Sequence, residues 1–448
     1  MKKILFILAA LMMLAACHEG EDPDYYKKKE QPREPFDRTV LVYVAGENNL
    51  SSFIASELVE MRQGSKDLGN NALVVYVDDA NSRHRPYIMR IHDGICQDST
   101  VMESDRLTSD PAVLGEVLNY TSSHYPAREY GLVLWGHSSG WVLEDSVSTQ
   151  PAASRVARRG YGVDSGDNSF SVVGKWLNMF TLNKVICEWG HLKFIFADCC
   201  QFQCVESAYE LRQAADYIIA SPAEVPGKGA PYATVVKGLF DPTERFYESI
   251  VNSYFEQTDL IPYELNSGSL FTYKYRTPFS VIKTSELPQL ATATNTLLHT
   301  FLPLEGGASW PDLSQERLIY YRGNINSQKS SLMYDMNDLL LHYAPADAYA
   351  VWKTSFDRAV VYKVNAANGW MTARQILPYV FGKNSFGQDA EVILTDARYS
   401  GVSMFMPQSR PGTNYEAYTL NDVHYEGYNA SIKRTSWYHA AQLSDFGW

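Results

Sequence analysis

Residues 194–200 read Phe-Ile-Phe-Ala-Asp-Cys-Cys, an apolar run that ends in a carboxylate and two thiols. A short run that is apolar on both faces is typical of a central strand in a parallel sheet. A helical pattern follows at 205–215, so Cys199 and Cys200 lie where a strand gives way to a helix. The backbone amides that open a helix favour the thiolate form of a nearby cysteine. This stretch therefore predicts an α/β fold with a reactive thiol at one edge of its sheet.

A second apolar run, at 130–135, ends in Gly136-His137-Ser138. A thiol becomes a strong nucleophile when a neighbouring base takes its proton, and an imidazole often plays that part. Because the carboxyl ends of parallel strands meet at one edge of a sheet, we expect His137 and Cys200 to lie close together. The two strands together predict a cysteine nucleophile with a histidine base.

The rest of the chain alternates between strand-like and helix-like apolar patterns, which predicts a mainly parallel central sheet covered by helices. The strands are expected at 39–45, 72–77, 87–92, 131–135, 192–197, 217–220 and 401–406. The helices are expected at 51–62, 111–123, 205–215, 244–256, 287–301, 332–343, 349–364 and 437–443. We expect the part at about 240–390 to be a largely helical elaboration of the same domain.

The amino-terminal residues indicate export. Lys2 and Lys3 precede an apolar run that is too short to span a bilayer and ends in Leu14-Ala15-Ala16-Cys17. This pattern fits a bacterial lipobox and predicts a lipoprotein signal peptide at 1–16, lipidation of Cys17, a flexible tether at 17–37 and a globular domain at 38–448. The alternative is an ordinary signal peptide with an incidental cysteine. We expect a protein that is anchored by lipid in the bacterial cell envelope, at the outer membrane or cell surface.

Charge and cysteine content narrow the function. The formal net charge of −12 argues against nucleic-acid binding. Five cysteines remain besides Cys17, and an odd number in an exported chain leaves at least one free thiol. Cys199, Cys200 and Cys204 also permit a metal site or a disulfide between the adjacent pair, but neither a Cys-x-x-Cys pair nor a local histidine supports a metal. We expect neither a metal nor a cofactor.

A rival interpretation uses the same histidine segment. Residues 136–140 satisfy the Gly-x-Ser-x-Gly pattern of the α/β-hydrolase nucleophile elbow, directly after a strand. Ser138 would then be the nucleophile, with His424 or His439 completing a triad. This interpretation leaves the Asp198-Cys199-Cys200 stretch without a role.

Several stretches, in order along 41–448, resemble the clostripain-like cysteine peptidases, relatives of caspases, gingipains and legumains. They are 41–45 with Asn48-Asn49-Leu50, 134–137 with Gly140-Trp141, Asp198-Cys199-Cys200 six residues before Glu206, the strand at 215–221, 401–407 and the final helix at Trp437. The resemblance implies a three-layer caspase-like sandwich that works without a cofactor. The Asp-x-Cys spacing implies that Cys200, rather than Cys199, is the nucleophile.

The resemblance also implies further residue roles. The amides of Ser138 and Cys200 would hold the oxyanion, and Asp198 would bind the Arg or Lys side chain before the scissile bond, with Ser221 and Glu224 beside it. The alternative role for Asp198 is to cap the following helix. Ser138 stands where the family usually has glycine, so a left-handed backbone there would be strained.

A long polar segment at 144–168 separates the base from the nucleophile and carries Arg155, Arg158 and Arg159. An Arg-specific enzyme could cut itself there, so we expect self-processing after one of these arginines. The expected partners are protein or peptide substrates with basic residues, and a membrane through the lipid on Cys17. The alternative from another class is a catalytically silent surface lipoprotein that binds peptide or glycan.

Overall fold

The computed structural model describes residues 34–83, 85–142, 160–256, 259–264, 270–275, 277–302, 313, 318–322, 332–364, 397–408, 418–420, 423–425 and 427–448. The chain divides into two compact units, Met1–Pro35 and Phe36–Trp448, and every element below belongs to the second. The predicted signal peptide, the lipidation site Cys17 and the three arginines of 144–168 lie outside the described residues.

Strands make up much of the described chain, and the largest group forms one central sheet. The strands are β1 Phe36–Gly46, β2 Asn71–Asp79, β3 Tyr87–His92, β4 Ile95–Val101, β5 Ala127–Gly136, β6 Tyr161–Asp164, β7 Lys175–Leu177, β8 Leu192–Asp198, β9 Ala215–Ala220, β10 Asp259–Glu264, β11 Leu270–Tyr275, β12 Ser280–Lys283, β13 Tyr320–Arg322, β14 Met333–Asp335, β15 Val360–Lys363, β16 Ser403–Met404, β17 Tyr418–Leu420 and β18 Val423–Tyr425. The central sheet has the order β15-β12-β9-β8-β5-β1-β2-β3-β4. Its five middle strands, β9 to β2 in that order, are parallel, and the pairs at either edge are antiparallel.

The helices are α1 Ile54–Gly64, α2 Pro111–His124, α3 Met179–Trp189, α4 Val205–Glu210, α5 Tyr232–Leu239, α6 Phe246–Glu256, α7 Leu287–Leu298, α8 Met336–Tyr343, α9 Ala346–Ala359, α10 Tyr428–Ser431 and α11 Ser436–Ala440. Caps fix several of their beginnings, since Asp110, Asn178 and Asp335 each accept a backbone N–H with their side chains. None of the described helices has the length and apolar character needed to cross a membrane.

Two hydrophobic cores lie on opposite faces of the central sheet. Alternate residues of a strand face opposite sides, so Val40 and Val42 of β1 join one core while Leu41 and Tyr43 join the other. Helices α1, α5 and α6 cover the first face, and α2, α3 and α4 cover the second. The layered α/β fold with a mainly parallel sheet, which the sequence predicted, is confirmed.

The structure differs from the prediction at several boundaries of helices and strands. The helix expected at 349–364 ends at Ala359, and Val360–Lys363 is strand β15, antiparallel to β12. The β-branched pair at 360–361 favours a strand. The segment expected as a helix at 332–343 begins with strand β14, because the side chain of Asp335 caps α8 only from that point. The helix expected at 205–215 ends at Glu210, and β9 already begins at Ala215.

Candidate active site

Strand register brings the two predicted catalytic residues to the same edge of the sheet. In the parallel pairing of β5 with β8, Trp135 lies opposite Asp198. His137 and Cys200 each stand two residues beyond that pair. Neighbouring strands are about 4.8 Å apart, so the imidazole and the thiol emerge from adjacent strand ends, as the sequence predicted.

The imidazole of His137 is oriented by a carboxamide. Its Nε2 lies 2.7 Å from Oδ1 of Asn49, and an amide oxygen can only accept a hydrogen bond. The proton therefore resides on Nε2, and Nδ1 is the nitrogen that can take a proton from a thiol. Burial lowers the pKa of His137 below its ordinary value, which keeps the ring neutral, and so able to accept a proton, near neutral pH.

The loop that carries Asn49 is held in place by its neighbour. The side-chain NH₂ of Asn48, which is fully buried, donates to the carbonyl oxygens of Ala45 at 3.1 Å and Val163 at 3.0 Å, and its Oδ1 accepts the amide of Leu50 at 3.0 Å. Sequence analysis assigned Asn49 no role of its own. The available signal was a pair of polar amides directly after β1, at the same sheet edge as His137 and Cys200.

The two adjacent thiols differ sharply in environment. Cys199 is fully buried, and burial raises the pKa of its thiol well above the ordinary value. Cys200 is partly exposed, and its Sγ accepts the amide N–H of Val225 at 3.5 Å. An N–H donor beside sulfur stabilises the negative charge of a thiolate. Cys200 is therefore the thiol that substrate can reach.

The five cysteines beyond Cys17 all carry free thiols, so the adjacent pair forms no disulfide in this structure. Within the described ranges, Cys199, Cys200 and Cys204 do not come together as metal ligands. The described residues that do converge in this way are Glu47, Asp78 and Asp105, with one carboxylate oxygen of each within 4.8 Å of the others. Burial raises the pKa of Asp78 to about 9 and that of Glu47 to about 7, so protons relieve the repulsion in this cluster.

The backbone around Ser138 accommodates a serine without strain. Ser138 pairs with Tyr161 through bonds from Ser139 N–H to the Gly160 oxygen, 3.0 Å, and from Gly162 N–H to the His137 oxygen, 2.9 Å. The amide of Ser138 takes no part in the bonds of this bridge. The backbone φ of Ser138 is not positive. The positive φ values in this segment belong to Gly136 and Gly140. The strain expected from a serine at this position is absent.

Asp198 ends β8 in a nearly closed environment, with 2 % of its surface exposed. Its Oδ2 accepts the amide of Ala230 at 2.8 Å and the hydroxyl of Tyr232 at 2.9 Å, and its Oδ1 accepts the hydroxyl of Tyr254 at 3.0 Å. Burial raises the pKa of Asp198 to about 6, against these three donors, which lower it. The N-cap of α4 is Cys204, so Asp198 does not cap that helix.

The two residues predicted beside Asp198 lie in the segment after β9. Ser221 is fully buried, and its hydroxyl accepts the amide of Ala223 at 3.1 Å, which shapes the turn. Glu224 is half-buried next to Val225, whose amide contacts Cys200. The segment therefore borders Cys200, with Glu224 the more accessible of the two side chains.

A late segment of the chain packs on the loop after Cys200. Cys204 forms an isolated bridge with Ser403, whose amide donates to the Gln203 oxygen at 3.0 Å. The amide of Phe405 donates to Oε1 of Glu206 at 2.7 Å. Burial raises the pKa of Glu206 to about 7. Residues almost 200 positions away thus hold the start of α4.

The chain is similar to several known proteins. The sequence profile of the clostripain family matches residues 42–446. Clostripain of Hathewaya histolytica is 25% identical over 222 residues, which span 43% of this chain but only 40% of that relative's length. A secreted C11 cysteine protease from Bacteroides thetaiotaomicron, solved in complex with an irreversible peptide inhibitor, is 27% identical with a TM-score of 0.65 over 91% of this chain and 99% of its own. An inactive zymogen C11 protease from Parabacteroides distasonis shares the fold, at 22% identity and a TM-score of 0.59 over 91% of this chain and 99% of its own. The chain belongs to the clostripain family of cysteine peptidases.

Proposed function

We propose that this chain is a cysteine endopeptidase that cleaves after arginine or lysine, with Cys200 as nucleophile and His137 as base. The observation that carries the proposal is the register of β5 and β8, which sets both residues at adjacent strand ends. The hydrogen bond from Nε2 of His137 to Asn49 supports the proposal, because it places the ring proton on Nε2 and leaves Nδ1 able to accept a proton. Family membership favours this reaction over the serine hydrolase in which Ser138 attacks.

The proposed reaction has two stages. Nδ1 of His137 takes the proton of the Cys200 thiol, and the sulfur attacks the carbonyl carbon of the scissile bond. The same Nδ1 then gives its proton to the leaving amine, which departs and leaves a thioester on Cys200. In the second stage His137 removes a proton from water, the hydroxide attacks the thioester, and the acid product leaves as the thiol is restored.

The oxyanion of each tetrahedral intermediate needs fixed donors. We assign this role to the amides of Ser138 and Cys200. The pairing of Ser138 with Tyr161 supports the assignment. Its two hydrogen bonds use the amide of Ser139 and the carbonyl of His137, so the pairing fixes the backbone without using the amide of Ser138. Gly140 permits a close approach, since a side-chain carbon there would lie 2.6 Å from the Gln201 oxygen. The two loops can therefore pack tightly against each other.

The proposed preference for basic residues rests on Asp198. A buried carboxylate recognises a guanidinium or ammonium group strongly, because little water competes for it. Asp198 lies two residues before Cys200, and the segment with Ser221 and Glu224 borders the same place. Protein and peptide substrates with exposed arginine or lysine are therefore the proposed partners.

Reporter peptides test the activity. We expect the wild type to hydrolyse reporters that end in Arg or Lys and not their neutral counterparts. Cys200→Ala should lose activity by about 10³-fold or more, whereas the matched control Cys199→Ala should retain it, since Cys199 is buried in the core. Activity that survives Cys200→Ala but not Ser138→Ala would support the serine hydrolase. No hydrolysis by a folded wild type would favour the silent binding protein.

We further propose that the enzyme cleaves itself after Arg155, Arg158 or Arg159. The support is the sequence, which sets these arginines in a polar segment between base and nucleophile. Mass spectrometry of active wild-type protein should find a new carboxyl terminus at one of them. Cys200→Ala should stay intact, and so should the triple Arg→Gln variant. Wild type that is fully active and intact would contradict the proposal.

Export and membrane attachment through lipid on Cys17 are also proposals, supported by the Leu14-Ala15-Ala16-Cys17 sequence. The protease from B. thetaiotaomicron is described as secreted. In bacterial cells, wild type should incorporate labelled palmitate and sediment with envelopes. Cys17→Ser should do neither, and label in that variant would place the lipid elsewhere.

A further inference from the structure

A second buried acid lies close to Asp198. Glu57, in the first turn of α1, has only 3 % of its surface exposed. Its Oε2 is buried and has no hydrogen-bond partner among the described residues. A buried carboxylate oxygen without a donor is costly, and native proteins seldom keep one without a reason.

Gly229 shows how near the two acids are to each other. A side-chain carbon on Gly229 would lie 3.0 Å from Oδ2 of Asp198 and 3.4 Å from Oε2 of Glu57. Nε1 of Trp135 would lie 2.8 Å from the same point, and the φ of Gly229 is +76°. Glycine is therefore the residue that fits, and its backbone covers a space that both carboxylates face.

The same loop leads directly to the nucleophile. Val225 contacts Sγ of Cys200 through its amide, and the amide of Gly229 donates to the Pro226 oxygen at 2.9 Å, which closes a tight turn. One short loop thus borders the thiol at one end and the two carboxylates at the other.

The two carboxylates differ in what they can still accept. Asp198 already receives three hydrogen bonds, two of them from tyrosine hydroxyls. Glu57 keeps an oxygen without a donor. A guanidinium presents five N–H donors in a planar fork, and an ammonium presents three. An incoming cation would therefore find its strongest unfilled acceptor on Glu57.

We infer that Glu57 is a specificity-determining residue that binds the charged end of the substrate's arginine or lysine side chain together with Asp198. The inference rests on the proposed function for the identity of the ligand as a substrate side chain. Gly229 and its loop shift to admit that side chain, and the buried oxygen of Glu57 gains the donor that it lacks in the empty protein.

Kinetics test this inference in the full chain. In the empty protein burial keeps the carboxyl of Glu57 protonated near neutral pH, because it raises the pKa of that group to about 9, and a bound cation stabilises its ionised form. Glu57→Gln keeps the shape but cannot ionise, so we expect kcat/KM for an Arg reporter to fall by about 10- to 100-fold, mainly through KM. Glu57→Asp should recover part of the loss. The matched control is Glu60→Gln, which makes the same substitution three residues along α1 and should change kcat/KM less than about threefold. An Arg reporter hydrolysed equally well by wild type and Glu57→Gln would overturn the inference.

A binding measurement separates this inference from the proposed function. In the Cys200→Ala background, 1-butylguanidine should raise the melting temperature, and its neutral isostere N-butylurea should not. Glu57→Gln should abolish the shift, and Glu60→Gln should retain it. If wild type hydrolyses no basic reporter but butylguanidine binds in a Glu57-dependent way, the peptidase proposal fails and the cation site stands. If wild type hydrolyses basic reporters and Glu57→Gln leaves the butylguanidine shift unchanged, the peptidase proposal stands and the role of Glu57 fails.

Discussion

Oδ1 of Asn49 accepts a hydrogen bond from Nε2 of His137 at 2.7 Å. This bond fixes both the tautomer and the direction of the imidazole. We therefore propose Asn49 as a positioning residue, which would act on the reaction through His137.

Removing this carboxamide should slow the reaction without weakening substrate binding. For Asn49→Ala we expect kcat to fall by about 10-fold or more, with KM almost unchanged, because the imidazole samples unproductive orientations. Asn49→Asp should move the acid limb of the kcat profile to higher pH, since a carboxylate stabilises the imidazolium. The control is Asn119→Ala, an exposed asparagine on α2. Wild-type kcat and an unshifted profile in both Asn49 variants would refute the assignment.

The pH dependence of KM should report Asp198. Burial raises the pKa of Asp198 to about 6, so its carboxylate is charged above that pH and neutral below it. A neutral acid attracts a cation weakly. We expect KM for an Arg reporter to rise as pH falls below about 6. Asp198→Asn should show a KM that is raised by roughly 10- to 100-fold and is flat in this range. A wild-type KM that stays constant between about pH 5 and pH 7 would contradict the role of Asp198.

Glu57 should make the protein less stable in alkali. Burial raises the pKa of Glu57 from 4.5 to about 9, so the folded chain keeps a proton that the unfolded chain releases above about 4.5. The free energy of unfolding therefore decreases as pH rises between those two values. Glu57→Gln lacks this proton. We expect its melting temperature to exceed that of wild type increasingly with pH, by about 1 °C per kcal/mol.

Thermal melts at about pH 5, 7 and 9 check this prediction. Glu60→Gln is again the control and should run parallel to wild type, since Glu60 is less buried than Glu57. Parallel curves for Glu57→Gln and wild type would show that the carboxyl of Glu57 is ordinary, and would weaken the case for a buried second acid.

Gly229→Ala should destabilise the protein by more than the strain of its backbone angle alone. An alanine at positive φ costs about 1–2 kcal/mol, and the control Gly69→Ala bears that cost in open space, with φ +59° and no heavy atom within 4 Å of the added carbon. At Gly229 the added carbon also meets Trp135 Nε1 at 2.8 Å. We expect a lower melting temperature for Gly229→Ala than for Gly69→Ala, and a higher KM for Arg reporters. Equal melting temperatures would mean that the loop moves away from Trp135 without a measurable loss of stability.

The parallel part of the fold was accessible from sequence because burial on both faces leaves continuous apolar runs. The parallel strand β8 was predicted with a difference of one residue. Strand β3, which pairs antiparallel with β2, was predicted with its observed bounds. The antiparallel edge formed by β12 and β15 was not predicted. Strands β12 and β15 are four residues each, too short to show a period. Their pairing depends on contacts between distant parts of the chain.

Sequence alone pointed to the site residues of chemically distinctive types, and it missed those of types that are common on protein surfaces. A histidine and a cysteine at strand ends stand out in any sequence. A glutamate in an amphipathic helix looks like a solvated charge, and Glu57 becomes exceptional only because the loop at Gly229, far along the chain, closes over it. Asn49 is similar, since its role depends on a ring that lies 88 residues away in sequence.

The bonds from Ser403 and Phe405 to the start of α4 carry a consequence for biogenesis. A nascent chain that has emerged only as far as residue 400 already contains His137 and Cys200, yet it lacks the two residues whose bonds hold the turn between Cys200 and the helix. This turn can therefore reach its final packing only after the last tenth of the chain has been synthesised.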